Sequence, residues 1–167
     1  LREFAIFYRR TLENSDDMVE LVREIEQTSR YFTFEVARFG EERLGMEVHI
    51  EPGLEDLYVP AFMVQPLVEN AVRHAMPQEG RLIINITAES DGDDAIISVS
   101  DNGIGMDAES TRKLLMPEAS KGLGIAMENI NERLRGYFGT ESSMKIESMP
   151  GNGTKVYLIL KDALKDD

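Results

Sequence analysis

Four short stretches of the chain combine residue types that can hold a ligand. The first is Glu69-Asn70-Ala71-Val72-Arg73-His74. Residues three and four apart are neighbours on a helix, so Glu69, Asn70, Arg73 and His74 share one face of an otherwise apolar segment. Polar groups that interrupt a buried stripe need partners. A helix end rising into solvent would satisfy them equally well. The second is Asp101-Asn102-Gly103-Ile104-Gly105, closing a predicted strand. A carboxylate at a strand end can accept from an exocyclic amine, which adenine has and guanine lacks at that edge. Glycines there let the backbone approach a flat ring, and they also suit a plain tight turn. The third is Lys121-Gly122-Leu123-Gly124, leading into a helix. Free N–H groups and the dipole at a helix start favour an anion, Lys121 adds a mobile charge, and a hinge is the plainer reading. The fourth, Gly151-Asn152-Gly153-Thr154, reads first as a hairpin turn, with glycine permitting close packing beside a ligand.

The elements that must position these residues follow from periodicity. Leu1 to Leu12 places Leu1, Phe4, Ala5, Tyr8 and Leu12 on one helical face. Asp17 and Glu20 have capping-box spacing, which predicts a long helix from there to Phe39, stopped by Gly40. Met46 to Ile50 alternates as a strand. Pro60 opens the next helix, which carries Leu67, Val68 and Val72 and ends near Met76-Pro77. Strands at Arg81–Glu89 and Ala95–Asp101 flank a turn at 90–93 and predict an antiparallel hairpin. Asp107 caps a short helix from Ala108 to Leu115. Met116 to Gly124 reads as irregular, Ile125 to Phe138 as helix, and Met144–Ser148 and Lys155–Leu160 as closing strands. Helices first, then hairpins mixed with helices, predict an α+β two-layer sandwich with a mixed, mostly antiparallel sheet covered by helices on one face.

Composition narrows the partners. The 167 residues carry 31 acidic and 18 basic side chains, a formal net charge of −13. That balance opposes nucleic-acid binding. A polyanion could still be held by a divalent cation, a few local cations and backbone N–H groups in one cleft. With no cysteine there is no disulfide, Cys-based zinc site or thiol nucleophile. No apolar run reaches the ~20 residues of a membrane span. The first residue is Leu1 rather than Met, so the sequence reads as part of a longer protein.

Asn70, Asp101, the Gly122/Gly124 pair and Gly153 stand in the order of the four ATP-site boxes of the GHKL ATPase superfamily, which includes DNA gyrase, Hsp90 chaperones, histidine kinases and MutL. The run from Gln65 through Asn70 to His74, then Ser100 to Met106, Gly122 to Ile125, and Asn129-Ile130-Asn131-Glu132-Arg133-Leu134, resembles bacterial sensor kinases of the LytS-like type. The helix around Tyr31 and Arg38-Phe39-Gly40 resembles the connector preceding their ATP domain.

The resemblance implies a Bergerat-type sandwich that binds ATP with Mg²⁺. Asn70 would ligate Mg²⁺, an amide oxygen being a suitable hard ligand. Asp101 would read the adenine amine, Gly103 and Gly105 would line the base, and Arg73 and His74 would face the phosphates. Gly122 and Gly124 would give the lid its freedom and backbone donors, Leu123 and Thr154 would contact ATP, and Asn102 and Lys121 would assist. Met106 to Lys121 would tighten on nucleotide binding. The implied reaction is phosphoryl transfer to a histidine upstream of Leu1 and then to a response regulator, in a parent that is a homodimer and membrane-anchored, with this domain in the cytoplasm. Residues 1–16 would end the dimerisation region, 17–44 form the connector, 45–161 the ATP-binding domain and 162–167 a tail. Only His49 and His74 occur here, and neither suits the acceptor role. Gyrase-type relatives carry an acidic base one turn before the metal Asn, where this chain has Pro66. Glu69 is the remaining candidate to polarise a nucleophile or to act from behind Asn70. A GHKL-type ATPase, an anti-sigma-type serine kinase and a non-catalytic nucleotide-binding module stay open as alternatives.

Overall fold

The computed structural model of the chain describes residues 18–114 and 123–166, with the backbone alone for 123–128. The chain runs β1 (Met18–Glu20), α1 (Leu21–Phe39), β2 (Leu44–Ile50), β3 (Tyr58–Pro60), α2 (Gln65–His74), β4 (Leu82–Asp91), β5 (Asp94–Asp101), α3 (Ala108–Leu114), α4 (Leu123–Phe138), β6 (Ser143–Ser148) and β7 (Thr154–Leu160). Five strands form one sheet in the order β2-β4-β5-β7-β6. The β2–β4 pair is parallel and the other three pairs are antiparallel.

Alternation along each strand makes this a two-layer structure. On β4, Leu82, Ile84, Ile86 and Ala88 are buried, while Ile83, Asn85 and Thr87 between them are half-exposed. The register carries the buried face across the sheet: Ile86 pairs with Val99, and Val99 with Val156. Ala88 pairs with Ile97, and Ile97 with Leu158. Helix α2 packs on β4 and β5, and α4 packs on β6 and β7. Leu67, Val68, Val72, Ile130 and Leu134 join the strand residues in one core.

The segment before the sheet differs from its sequence reading. Met18–Glu20 is a strand paired antiparallel with Tyr58–Pro60, so the long helix starts at Leu21. No side chain caps it. Its first N–H groups donate instead to main-chain carbonyls, Leu21 to Leu57 at 2.8 Å and Val22 to Glu55 at 3.1 Å, so the capping-box reading does not hold at Glu20. Pro60 ends a strand rather than opening a helix, and Pro66 occupies the first turn of α2, where its missing N–H does no harm. Leu123 and Gly124 are helical rather than irregular. The amphipathic reading of 1–12, Asp17, Lys121, Gly122 and the 115–120 part of the expected lid lie outside the described residues.

One contact between α1 and α2 replaces the missing cap. The α2 N-cap residue, Val64, has no side-chain hydrogen bond of its own to give. The Glu24 carboxylate, only 2% exposed, sits at that helix start instead. It accepts the N–H groups of Phe62 at 3.0 Å, Val64 at 3.1 Å and Gln65 at 3.4 Å. Unsatisfied N–H groups and the positive dipole end both favour a carboxylate there. Burial still dominates its titration and raises its pKa above the ordinary 4.5, against the lowering effect of the backbone donors.

Removing this carboxylate leaves several buried donors without an acceptor. Glu24→Ala is expected to cost about 3 kcal/mol of unfolding free energy, measured by urea titration, and Glu24→Gln clearly less. Because the folded pKa is raised, the proton is held by the folded state and lost by the unfolded chain between 4.5 and the folded value. Stability relative to Glu24→Gln therefore falls as pH rises through that window. A flat difference between the two forms across it would show that Glu24 titrates normally.

Candidate functional site

Three elements end at the same edge of the fold: the C-terminal half of α2, the end of β5 and the start of β7. Between them lies a cleft of about 540 Å³ whose lining includes Asn70, Arg73, His74, Asp101, Gly105 and Thr154, with Leu67, Val99, Ile104, Met106 and Val156 as apolar walls. The α2 amide and the β5 carboxylate thus open into one cavity, from different elements and different layers.

Asn70 brings the clearest signal. Its Oδ1 is buried and has no hydrogen-bond partner among the described residues. Leaving such an acceptor unmade is costly unless a ligand completes it. An amide oxygen is a suitable donor for Mg²⁺, which keeps several waters and accepts phosphate oxygens as further ligands. No group of three or more His, Cys, Asp or Glu side chains that could cage a metal occurs among the described residues. A cation held here would share Asn70 with its anionic ligand rather than sit in a protein cage.

Arg73 and His74 follow on the last turn of the same helix and line the same cleft. Burial first, and the neighbouring Arg73 charge second, lower the His74 pKa below its ordinary 6.5, so the imidazole is neutral at pH 7. From the end of β5, Asp101 accepts the Gly103 N–H at 2.9 Å and a further N–H from Thr154. Burial outweighs these donors and raises its pKa above 3.8. Asp101 is the one acidic side chain among the described residues lining the cleft. The chain is strongly acidic overall, yet the described cavity lining combines Arg73 and the His74 imidazole with a single carboxylate.

The cleft wall is fastened by backbone contacts. Ile104 N–H donates to the Ala75 carbonyl at 3.0 Å, just past α2. The Ile104 carbonyl accepts Gly151 N–H at 2.7 Å, from the β6–β7 turn. Gly105 and Gly153 sit where these loops interlock. Both have positive φ, +67° and +72°, and a Cβ on either would drive into backbone, the Met149 carbonyl for Gly105 and the Asp101 carbonyl for Gly153. Glycine is therefore required here by loop-to-loop packing, where the sequence reading offered a flat ring or a tight turn for Gly105 and a hairpin turn first for Gly153.

Other sequence candidates fall elsewhere. The Asn102 Oδ1 accepts Ile83 N–H at 2.7 Å and its Nδ2 donates to the Arg81 carbonyl at 3.1 Å. Both ends of that amide tie β5 to the start of β4, outside the cleft lining. Gly103 is buried against the Ala75 backbone. Glu69 lines a different cleft, between α1 and α2, with Tyr31, Phe34 and Arg38. Leu123 and Gly124 lie on the first turn of α4. Ser148 escaped the sequence reading, although its hydroxyl bonds Met106, Gly153 and Thr154. Only the strand register, which sets it opposite Thr154, could have found it.

The family description "Histidine kinase-, DNA gyrase B-, and HSP90-like ATPase" matches residues 60–164. The chain is 30% identical to the sensor protein LytS of Staphylococcus haemolyticus over all of its own length, and spans 29% of that protein. It is 32% identical to LytS of Bacillus subtilis over 93% of its length, and spans 27% of that one. The chain thus covers less than a third of these curated relatives. Among solved structures, the catalytic domain of histidine kinase ThkA aligns with a TM-score of 0.67 at 18% identity, over 87% of this chain and 95% of that one. Histidine kinase AdeS of Acinetobacter baumannii aligns with a TM-score of 0.64 at 15% identity, over 94% of this chain and 74% of that one. Those structures share the fold, and the matched residues 60–164 contain Asn70, Arg73, His74, Asp101, Gly105 and Thr154. The chain belongs to the histidine kinase-, DNA gyrase B- and HSP90-like ATPase family.

Proposed function

We propose that this domain is the ATP-binding catalytic domain of a two-component sensor histidine kinase of the LytS type. It binds Mg-ATP and transfers the γ-phosphoryl group to a histidine of the same parent protein outside this segment, from which a response regulator takes it. The observation that carries this reading is the pairing of an orphaned buried amide oxygen with a half-buried carboxylate in one cavity. Asp101 accepts from the adenine amine, and Gly105 and Thr154 line the base. Arg73 brings a fixed positive charge to the phosphate end, with His74 beside it as a hydrogen-bonding imidazole. Asn70 would hold Mg²⁺, and the ion would supply neutralisation of the charge that develops in transfer. In the transfer an imidazole nitrogen forms a bond to the γ-phosphorus, the bond to the β–γ bridging oxygen breaks, and ADP leaves.

Transfer is favoured over hydrolysis by what the cleft lacks among its described lining. The position one turn before Asn70 is Pro66, which is buried and cannot activate water. Glu69 lines the α1–α2 cleft instead. Asp101 lies at the base-reading pole. A parent chain carrying the upstream histidine is therefore expected to incorporate labelled γ-phosphate as acid-labile phosphohistidine, with little free phosphate released. Steady phosphate release without a labelled protein would favour a gyrase-type ATPase.

Asn70→Ala is expected to weaken ATP binding in the presence of Mg²⁺ far more than in EDTA, read by calorimetric titration. Equal losses in both buffers would remove Asn70 from the metal. Asp101→Asn is expected to cost about 1–3 kcal/mol of ATP affinity and to flatten the preference for ATP over GTP. Because burial raises the Asp101 pKa, protonation removes the acceptor at a pH above the ordinary 3.8, and affinity falls on acidification through that raised value. Asp101→Asn should abolish this step in the pH profile.

A further inference from the structure

Three side chains form one row across the sheet beneath the cleft. The register pairs Asp101 on β5 with Thr154 on β7, and Thr154 with Ser148 on β6. Asp101 and Thr154 line the cleft, and Ser148 stands one strand behind them. The Ser148 hydroxyl makes three short contacts: Met106 N–H at 2.8 Å, the Gly153 carbonyl at 3.0 Å and the Thr154 hydroxyl at 2.7 Å.

With all three contacts made as hydrogen bonds, the proton count in this group has one solution. A serine hydroxyl has one proton to donate and two lone pairs to accept with. The Met106 N–H can only donate, so it takes one lone pair. The Gly153 carbonyl can only accept, so it takes the Ser148 proton. The remaining lone pair faces Thr154, whose hydroxyl must then donate. The Thr154 proton is thereby turned toward β6 and away from the cleft.

We infer that Ser148 is a specificity-determining positioning residue. By drawing off the Thr154 proton, it leaves the base-reading end of the cleft with two oxygens, of Asp101 and Thr154, that can accept but not donate. The inference rests on the nucleotide reading above and sharpens it. Such a floor suits a base edge that offers an amine. It repels one that presents a carbonyl in the same place, because lone pairs then face lone pairs. Asp101 alone would discriminate less, since a rotatable Thr154 hydroxyl could turn to greet a carbonyl.

The test compares ATP with ITP, in which a carbonyl replaces the 6-amine, by calorimetric titration of the protein in Mg²⁺. Ser148→Ala frees the Thr154 proton, and the ATP-over-ITP affinity ratio is expected to fall roughly three- to tenfold. On a Thr154→Val background, Ser148→Ala should leave the ratio unchanged, because the proton it controls is gone. Loss of Met106 anchoring alone would weaken both nucleotides equally and keep the ratio, and that result would overturn the inference. So would an equal fall in the ratio with and without Thr154. Failure of the unsubstituted protein to bind either nucleotide would overturn both this inference and the nucleotide reading, whereas an unchanged ratio with intact ATP binding would overturn this inference alone.

Discussion

The site depends on how one short helix is held. Helix α2 carries Asn70, Arg73 and His74, and it is only ten residues long. A helix of that length is marginal by itself, and its start has no cap of its own. The Glu24 carboxylate, carried by α1 some forty residues earlier, supplies the acceptors for that start. Desolvating a carboxylate is costly, and the donors and dipole of the helix start offset part of that cost. The placement of the Asn70 amide oxygen in the cleft is thus coupled to the helix preceding the sheet. That helix is part of the structural definition of the site, although it contributes no side chain to the nucleotide cleft lining.

At the opposite pole the constraint is made of backbone. Ile104 donates to the turn after α2 and accepts from the β6–β7 turn, so the loop after β5 is sewn to both neighbours. Gly105 and Gly153 allow this closeness, because any side chain would displace a carbonyl. Asp101 is then presented at the base of a wall that three elements share. Its acceptor oxygens are steadied by the N–H groups of Gly103 and Thr154. The two poles have different chemical requirements, and different forces meet them: a buried side-chain cap for one, interlocked main chain for the other.

Electrostatics separate the poles further. The chain carries a formal net charge of −13, yet the described cleft lining holds one carboxylate, Asp101, beside the Arg73 cation. Local arrangement outweighs net charge here because the cavity is partly shielded from solvent, and the more distant surface acids are screened. The buried Asn70 amide oxygen in this cleft has no hydrogen-bond partner among the described residues.

Much of this was legible in the residues themselves. Alternation on β4 and β5, the apolar stripe of α2 and the order Asn70, Asp101, Gly153 identified the sheet, the helix over it and the two poles, because side-chain period and motif spacing are local properties of the chain. The short strands Met18–Glu20 and Tyr58–Pro60 were not, since three-residue strands have too few alternations to read and form only when they meet. Glu24 was invisible for a related reason: it falls within a helical stripe as a charged residue, and its burial follows from donors contributed by residues 62–65. Asn102 looked like a ligand contact from its place in the motif, but its amide is spent on β4. Ser148 carried no motif at all and gains meaning from register. Sequence alone determined the main strands, the helix over them and which residue types stand where chemistry could occur. Tertiary structure alone decided which of those residues face one cavity, because partnership between groups far apart in the chain is set by packing and strand register, and no local pattern encodes it.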